Sequence, residues 1–398
     1  MILKFNRYDD FERVKSLGMV MPFTNTDRMN FGCPRLWAYN NIQNYVVGDK
    51  AEALSYGVIW HSLLEKILIE VKELDKMITE ERLNEIVEND LSLIIQEFFL
   101  KEGSEESYNE QLHFGKIDEL EQRIRNAITG WWLSWCEFIK RFKVLAVEVP
   151  VCAPVIEPDG SVAKFPTYIV NAGEYFRPSR IGELEKSKLL DLSWVKLGKI
   201  DVLVEERCSG DLWICDHKTS SSPSLYENNI PFDVQLPSYA SLLDYEKNWG
   251  SLTHLKDRKI SGVIYDISNS KVKGIPELLK SGKLSKAKNA ATPSWIYKKA
   301  IEKYGLPLSQ YKDHIEYLEN NADPKKNFQR YYYLTEEDID RCTDEDYGIA
   351  LAMSNKRRSL VEISEDSFVD FNSIAYRYPA CQKYGNCTFS TFCLANNQ

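Results

Sequence analysis

Apolar positions recur at helical spacing through the first third of the chain and alternate at strand spacing through the middle third. Ile59, Leu63, Leu64, Ile67 and Ile69 follow a helical period and predict a helix over about 52–74. Thr26 is the expected cap of an earlier helix over 27–45. Acidic amphipathic segments near 79–102 and 117–141 predict two more. Trp131, Trp132 and Trp135 on the last of these read as core, not as a platform for stacking bases.

Near residue 144 the period drops to two. Segments 144–151, 200–205 and 212–216 read as strands, with Cys208, Ser209, Gly210 and Asp211 marking a turn between the last two. A helix over about 232–245 and a strand over 260–266 follow. From 268 to 330 the texture changes: Lys271, Lys273, Lys280, Lys283, Lys286 and Lys288 crowd one stretch, read as an insertion. Segment 330–334 returns as a strand, and Thr335 with Asp338 resembles a capping box opening a long helix. The expected organisation is a helical lobe over 1–141, a core over 142–267, the insertion over 268–330, and a helix and cysteine segment over 331–398.

The 398 residues are 43% hydrophobic, enough for a large core. The first residues are charged early and show no apolar leader, and no apolar run is long enough to span a bilayer. The expected location is therefore the cytoplasm, where nine cysteines do not read as a disulfide framework. A net charge of -9 gives no global basic field, so any nucleic-acid surface must be local.

The strongest chemical signal joins two predicted strands. Gly198-Lys-Ile-Asp201 opens one, and Asp216-His217-Lys218 closes the next. Hairpin neighbours of this kind bring two carboxylates and a backbone carbonyl to one point, a hard oxygen site suited to Mg²⁺ or Mn²⁺. Lys218 shares a face with Asp216 because side chains alternate along a strand, so it can stabilise developing negative charge. Taken alone, an Asp-x-Lys is more often two surface residues at a strand end. Gly115-Lys-Ile-Asp118 repeats the letters of 198–201, but a charged helical pattern follows it, and it is read as a decoy. Gly57-Val-Ile-Trp-His61 places a histidine inside a helix, and Gln235 and Tyr239, four residues apart, share a helix face.

The ordered set G-x-x-x-H, G-x-x-D, D-x-K-T/S and Q-x-x-x-Y resembles the RecB-like branch of the PD-(D/E)XK nuclease superfamily, including AddB-type nucleases and CRISPR-associated iron–sulfur exonucleases. The resemblance implies an α/β fold with a mixed central sheet of restriction-endonuclease-like type, flanked by helices, with an N-terminal helical lobe and a C-terminal cysteine-rich cap. It implies that His61, Asp201 and Asp216 hold the metal, with His217 as a further ligand, and that Asp201, Asp216, Lys218 and the strand glutamate Glu148 carry catalysis. It places Gln235 and Tyr239 at the edge of the site, toward DNA. Ile200 stands where the superfamily's name has proline. Lys271, Lys273 and Lys283 are expected to track the DNA backbone, with a solvated lysine-rich loop as the alternative.

Cys33 sits in Cys-Pro-Arg near one end, and Cys381, Cys387 and Cys393 lie near the other with five residues in each gap. Four soft thiolates suit an iron–sulfur core. Structural zinc is the alternative, though the short knuckles zinc prefers are missing. The one-plus-three split resembles that of the iron–sulfur nucleases just named and implies a [4Fe–4S] cluster; its first C-terminal gap is wider than in AddB-type proteins. Cys136, Cys152, Cys208, Cys215 and Cys342 are read as core or incidental.

The expected function is metal-dependent hydrolysis of DNA phosphodiester bonds, on single strands or free ends, in recombination, repair or viral genome processing. Recombination or replication proteins are the expected partners, with no membrane. One alternative is a nuclease-shaped DNA-binding accessory protein without catalysis. Another is an RNA-directed nuclease, for which no RNA-binding motif speaks.

Overall fold

Residues 20–31, 52–102, 115–169, 188–228, 230, 233–272, 274–287 and 292–363 are described by the structure, a computed structural model. Cys33, Cys381, Cys387, Cys393 and Lys273 lie outside the described residues. Strand β1 (Val20–Thr24) leads into helix α1 (Asn25–Phe31). Thr24, not Thr26, caps this helix. Its backbone N–H and hydroxyl donate to the Asp27 carboxylate at 2.8 and 2.9 Å, and the Asp27 N–H returns a bond to Thr24 Oγ1 at 3.3 Å. The box needs an acid or amide three residues on; Thr24 has Asp27 there, whereas Thr26 has Met29.

Helices α2 (Glu52–Leu74), α3 (Glu80–Glu102) and α4 (Lys116–Arg141) follow. Next come strands β2 (Phe142–Pro154), β3 (Lys164–Ile169), β4 (Lys188–Glu206) and β5 (Leu212–Ser220). The chain continues through α5 (Pro223–Glu227), α6 (Gln235–Trp249) and β6 (Ile260–Asn269). Helices α7 (Ser294–Lys303) and α8 (Lys312–Asn321) precede β7 (Asn327–Tyr333) and the long α9 (Glu336–Ile363). Thr335 and Asp338 close the expected capping box at the start of α9, with bonds of 2.9 and 3.2 Å between side chain and backbone. Asp118 of the decoy motif lies exposed in the first turn of α4, on a helix as its sequence context predicts.

Seven strands make one mixed sheet whose main path runs β1-β4-β5-β6-β7. The 19-residue β4 is its spine. One side of β4 pairs with β1 over Ser193 to Leu197 and with β5 over Val202 to Glu205. Its other side pairs antiparallel with β2 and β3. Gly198 to Asp201 therefore face the gap between β1 and β5.

Helices cover both faces. On one, α2, α3 and α4 bury Trp60, Trp131 and Trp135 against Trp213 and Cys215 of β5. Trp131 and Trp135 are fully buried, as read from the sequence, and Trp132 is half-buried against the same cluster. On the other face, α6 lays Tyr239, Leu242 and Leu243 over Ile214, Tyr265 and Ile267. Double coverage explains why all ten residues of β6 are buried, a run that does not alternate. A third cluster sets Met353 of α9 against Phe23, Phe165 and Trp194. The lysine-rich segment has its own small core, with Leu284 packed among Tyr297, Tyr311 and Leu318 of the turns and helices that follow. Among the described residues no helix is long and apolar enough to cross a membrane.

Candidate active site

The site forms where two strands part. β4 and β5 are last paired at Val202 and Cys215. Beyond that point the Asp201 carboxylate replaces the backbone ladder, its Oδ2 accepting the His217 N–H at 2.8 Å. β5 stays paired with β6 through Ser220, so only its β4 side opens. Asp216 thus lies at an internal cleft of the sheet and not at its edge. Alternation puts Asp216 and Lys218 on the α6 face and the His217 ring on the other.

Helix α2 closes the opening with His61. Its Nε2 lies 2.9 Å from the His217 carbonyl oxygen and its Nδ1 3.4 Å from Asp201 Oδ2. Glu148 approaches from β2, between the pairs Val147–Val202 and Val149–Ile200. Its φ of 51° lies in the left-handed region, where a side-chain-bearing residue is strained by order 1–3 kcal/mol. Lys199 Nζ holds the Glu148 carboxylate at 2.6 Å. His61, Glu148 and Asp201 each offer one ligand atom, and these atoms all lie within 4.8 Å of one another. That span is close to twice a metal–oxygen bond of about 2.0–2.6 Å, so the donors suit one hard cation.

The second carboxylate sits deeper. Asp216 is 2% exposed, and Lys218 Nζ lies 2.5 Å from its Oδ2, off the direction of a hydrogen bond. Lys218 also donates to Gln235 Oε1 at 2.9 Å, and Gln235 Nε2 donates to Tyr239 Oη at 2.9 Å. The four-residue spacing on α6 therefore builds a chain from helix to lysine.

Charge is divided unevenly between the two carboxylates. Burial pushes Asp216 up, and Lys218 only partly offsets it. Burial acts on Asp201 in the same sense, but His61 beside it outweighs this and holds Asp201 low. For His61, burial opposes the charged ring, yet Asp201 and Asp216 raise it to about 9. Burial also opposes the Lys218 ammonium, and Asp216 more than reverses this. Two carboxylates pushed apart in proton affinity, beside a retained cation, fit a site for acid–base or metal chemistry.

A family profile of the PD-(D/E)XK nuclease superfamily matches residues 32–356. The chain belongs to that superfamily. The mixed sheet flanked by helices is the restriction-endonuclease-like fold of these nucleases, and membership implies nucleic acid as substrate and a divalent metal as the usual cofactor. No match was found among curated proteins.

Within this PD-(D/E)XK site the predicted residues divide into three groups. His61, Glu148, Asp201, Asp216, Lys218, Gln235 and Tyr239 converge. His217 presents its peptide N–H and carbonyl to the cleft while its ring points away. Lys271 and Lys283 are exposed on the lysine-rich segment, outside this convergence.

Sequence reading missed what stands behind the site. His217 Nδ1 lies 2.8 Å from Asp266 Oδ2, which also accepts the indole N–H groups of Trp131 and Trp135, each at 2.9 Å. Gln329 donates to Asp266 Oδ1 at 2.8 Å. A signal was present: Asp266 is the one carboxylate in the fully buried β6, and a buried charge must be paired. Lys199, inside the Gly198 to Asp201 motif, was also passed over.

Proposed function

We propose that this protein is a Mg²⁺- or Mn²⁺-dependent deoxyribonuclease of the RecB-like branch, acting on single-stranded ends, with a [4Fe–4S] cluster joining its termini. The observation carrying the nuclease reading is the gathering of His61, Glu148 and Asp201 donor atoms within 4.8 Å, beside Asp216 and Lys218. His61, Glu148, Asp201, Asp216 and the His217 carbonyl would hold the metal, which supplies Lewis-acid polarisation of the phosphate and a lower pKa for the attacking water.

The remaining chemistry belongs to side chains. Lys218, beside Asp216, would serve as a cation against developing phosphate charge. Gln235 fixes the ammonium from the helix side. Lys199 steers Glu148 toward the cleft. The His217 N–H holds Asp201 so that a carboxylate oxygen faces His61.

The cluster reading is supported by a contact between α1 and α9, the described elements that precede Cys33 and the C-terminal cysteines in sequence. α1 ends at Phe31, two residues before Cys33. Arg28 of α1 reaches Glu345 at 2.5 Å and Asp346 at 3.8 Å on α9, the helix that leads toward the C-terminal cysteines.

The test is a side-by-side assay of labelled single-stranded DNA, duplex DNA and RNA with Mg²⁺, Mn²⁺ or chelator. Cleavage of DNA from its ends, lost with chelator, is expected. RNA cut in preference to DNA overturns the substrate assignment, and no cleavage by protein of confirmed fold turns the reading to an inactive DNA-binding protein. Anaerobically purified protein should contain about four irons, lost in Cys33→Ser or Cys393→Ser. Stoichiometric zinc without iron overturns the cluster.

A further inference from the structure

The chain is acidic overall, so a nucleic-acid strand needs a local cationic path. The lysine-rich insertion was the sequence candidate. A second cationic surface lies at the ends of β5 and β6. A groove of about 390 Å³ opens where β5 and β6 end and α5 begins, with Lys325, Lys326 and Arg330 on one wall and Ser222 and Ser224 on the other. Its lining holds three cations against one carboxylate, Glu227.

The sheet register connects this groove to the site. Asp216 pairs with Tyr265 of β6, and Tyr265 pairs with Arg330 of β7. The three residues form one row across adjacent strands, on the face covered by α6. Two strand spacings, about 9–10 Å, separate the Arg330 backbone from that of Asp216. Phe328, two residues earlier, lies on the same face, and the Arg330 guanidinium stacks 4.3 Å over its ring. The groove also lies beyond the carboxyl ends of the parallel pair β5 and β6, the end of a parallel sheet where ligands bind. Only two residues part Ser220, the last of β5, from Pro223, the first of α5, so the chain turns off the sheet directly beside Lys218.

From this row we infer that the groove binds the sugar–phosphate backbone of the substrate strand next to the scissile bond. This rests on the nuclease reading above for the strand being DNA. Arg330 now pairs with Glu227 at 2.5 Å, and a phosphate entering the groove takes Glu227's place on the guanidinium fork. Lys325 is exposed at the rim and contributes a point charge, and the serine hydroxyls donate to phosphate oxygens. These groups meet phosphate and sugar, so the binding they provide is independent of base sequence.

The test reads binding apart from cleavage. Fluorescence anisotropy of a labelled single-stranded oligonucleotide is measured in chelator over a range of salt. The double variant Lys325→Glu, Arg330→Gln should bind at least tenfold more weakly at low salt. Its log–log salt slope should fall by about 1.4, roughly 0.7 for each phosphate of a single strand that is no longer neutralised. Lys325→Glu alone, at the exposed rim, should show about half that change. The matched control Lys298→Glu, Lys303→Gln on α7, with the same change of three charges, sets the effect of charge alone. A groove variant no weaker than this control, or with an unchanged slope, overturns the inference. A protein that binds, responds to the groove variants and yet cuts nothing keeps the groove and overturns the nuclease reading.

Discussion

His61 and His217 are 156 positions apart, yet the Nε2 of one lies 2.9 Å from the backbone carbonyl of the other. Both ring nitrogens of His61 face acceptors, since Nδ1 looks at Asp201 Oδ2. That arrangement suits an imidazolium donating at both ends, in keeping with a value raised from 6.5 to about 9. A metal needs a bare nitrogen, so binding below pH 9 must expel a proton.

Apparent Mn²⁺ affinity should therefore rise with pH, by up to tenfold per unit, and level off above about 9. Without metal the sign reverses for the fold. A raised histidine contributes stability that is complete below about 6.5 and is lost as pH climbs toward 9. Calorimetric titration in buffers of differing ionisation enthalpy counts the protons released. In His61→Gln that count should drop by about one, and an unchanged count removes His61 from the ligand set.

Asp216 is the carboxylate whose loss should matter most to cleavage. Truncation to alanine leaves Lys218 nearly buried without its anion, held by Gln235. Removing one member of a buried pair typically costs about 3–5 kcal/mol, so Asp216→Ala should also melt earlier. Asp216→Asn keeps the volume and separates the two effects. It should stay folded and bind DNA, yet cut at least about 10²–10³-fold more slowly. Asp118→Ala, on the exposed first turn of α4, should cut normally. Thermal melts beside single-turnover rates check both; near-normal cutting by Asp216→Asn misplaces the site.

The nuclease motifs were legible because each is local: a strand pair with a turn, and a helix with residues four apart. Asp201, Asp216 and Lys218 needed only alternation and the hairpin to be brought together. Contacts that cross layers leave no such local pattern. Asp266 reaches His217 from the neighbouring strand and the two tryptophans from a helix, and no spacing in one segment encodes that meeting. Glu148 could be picked out as a strand glutamate, but its left-handed backbone could not, because strain is imposed by the elements around it. The start of α1 was misread by two residues because the cap was judged by residue type without its reciprocal acid.

Gly198, the first residue of its motif, has a packing reason to be glycine. A Cβ there would lie 2.8 Å from both Leu242 Cδ1 and Tyr239 Cε1. The α6 helix thus sits directly on the β4 backbone, and Tyr239 is the anchor for Gln235 and so for Lys218. Gly198→Ala should push the Tyr239 ring outward, at an overpacking cost of about 1–3 kcal/mol. Turnover should fall more than DNA affinity, because the displaced chain ends at the catalytic lysine. Equal loss of both, or neither, argues against this route.

The pair that ties β4 to α9 should show the difference between breaking a buried ion pair and replacing it. Lys196 Nζ lies 2.5 Å from Asp346 Oδ1, with the two side chains 2% and 8% exposed. Burial lowers Lys196 and raises Asp346, so each charged form is held against its desolvation by the other. Lys196→Met leaves Asp346 with Arg28, at 3.8 Å, and should destabilise the protein by about 3–5 kcal/mol. Lys196→Met with Asp346→Leu removes both charges and should recover most of that loss, since apolar replacement of a buried pair is often neutral or better. The double variant also frees Arg28 from one of its two acidic neighbours on α9, leaving Glu345. If the cluster holds the termini as proposed, iron content should survive in the double variant and fall in the single one. Denaturant melts and iron assays on the four proteins of this cycle check the coupling, and a double variant whose loss equals the sum of the two single losses would show that the pair carries no interaction of its own.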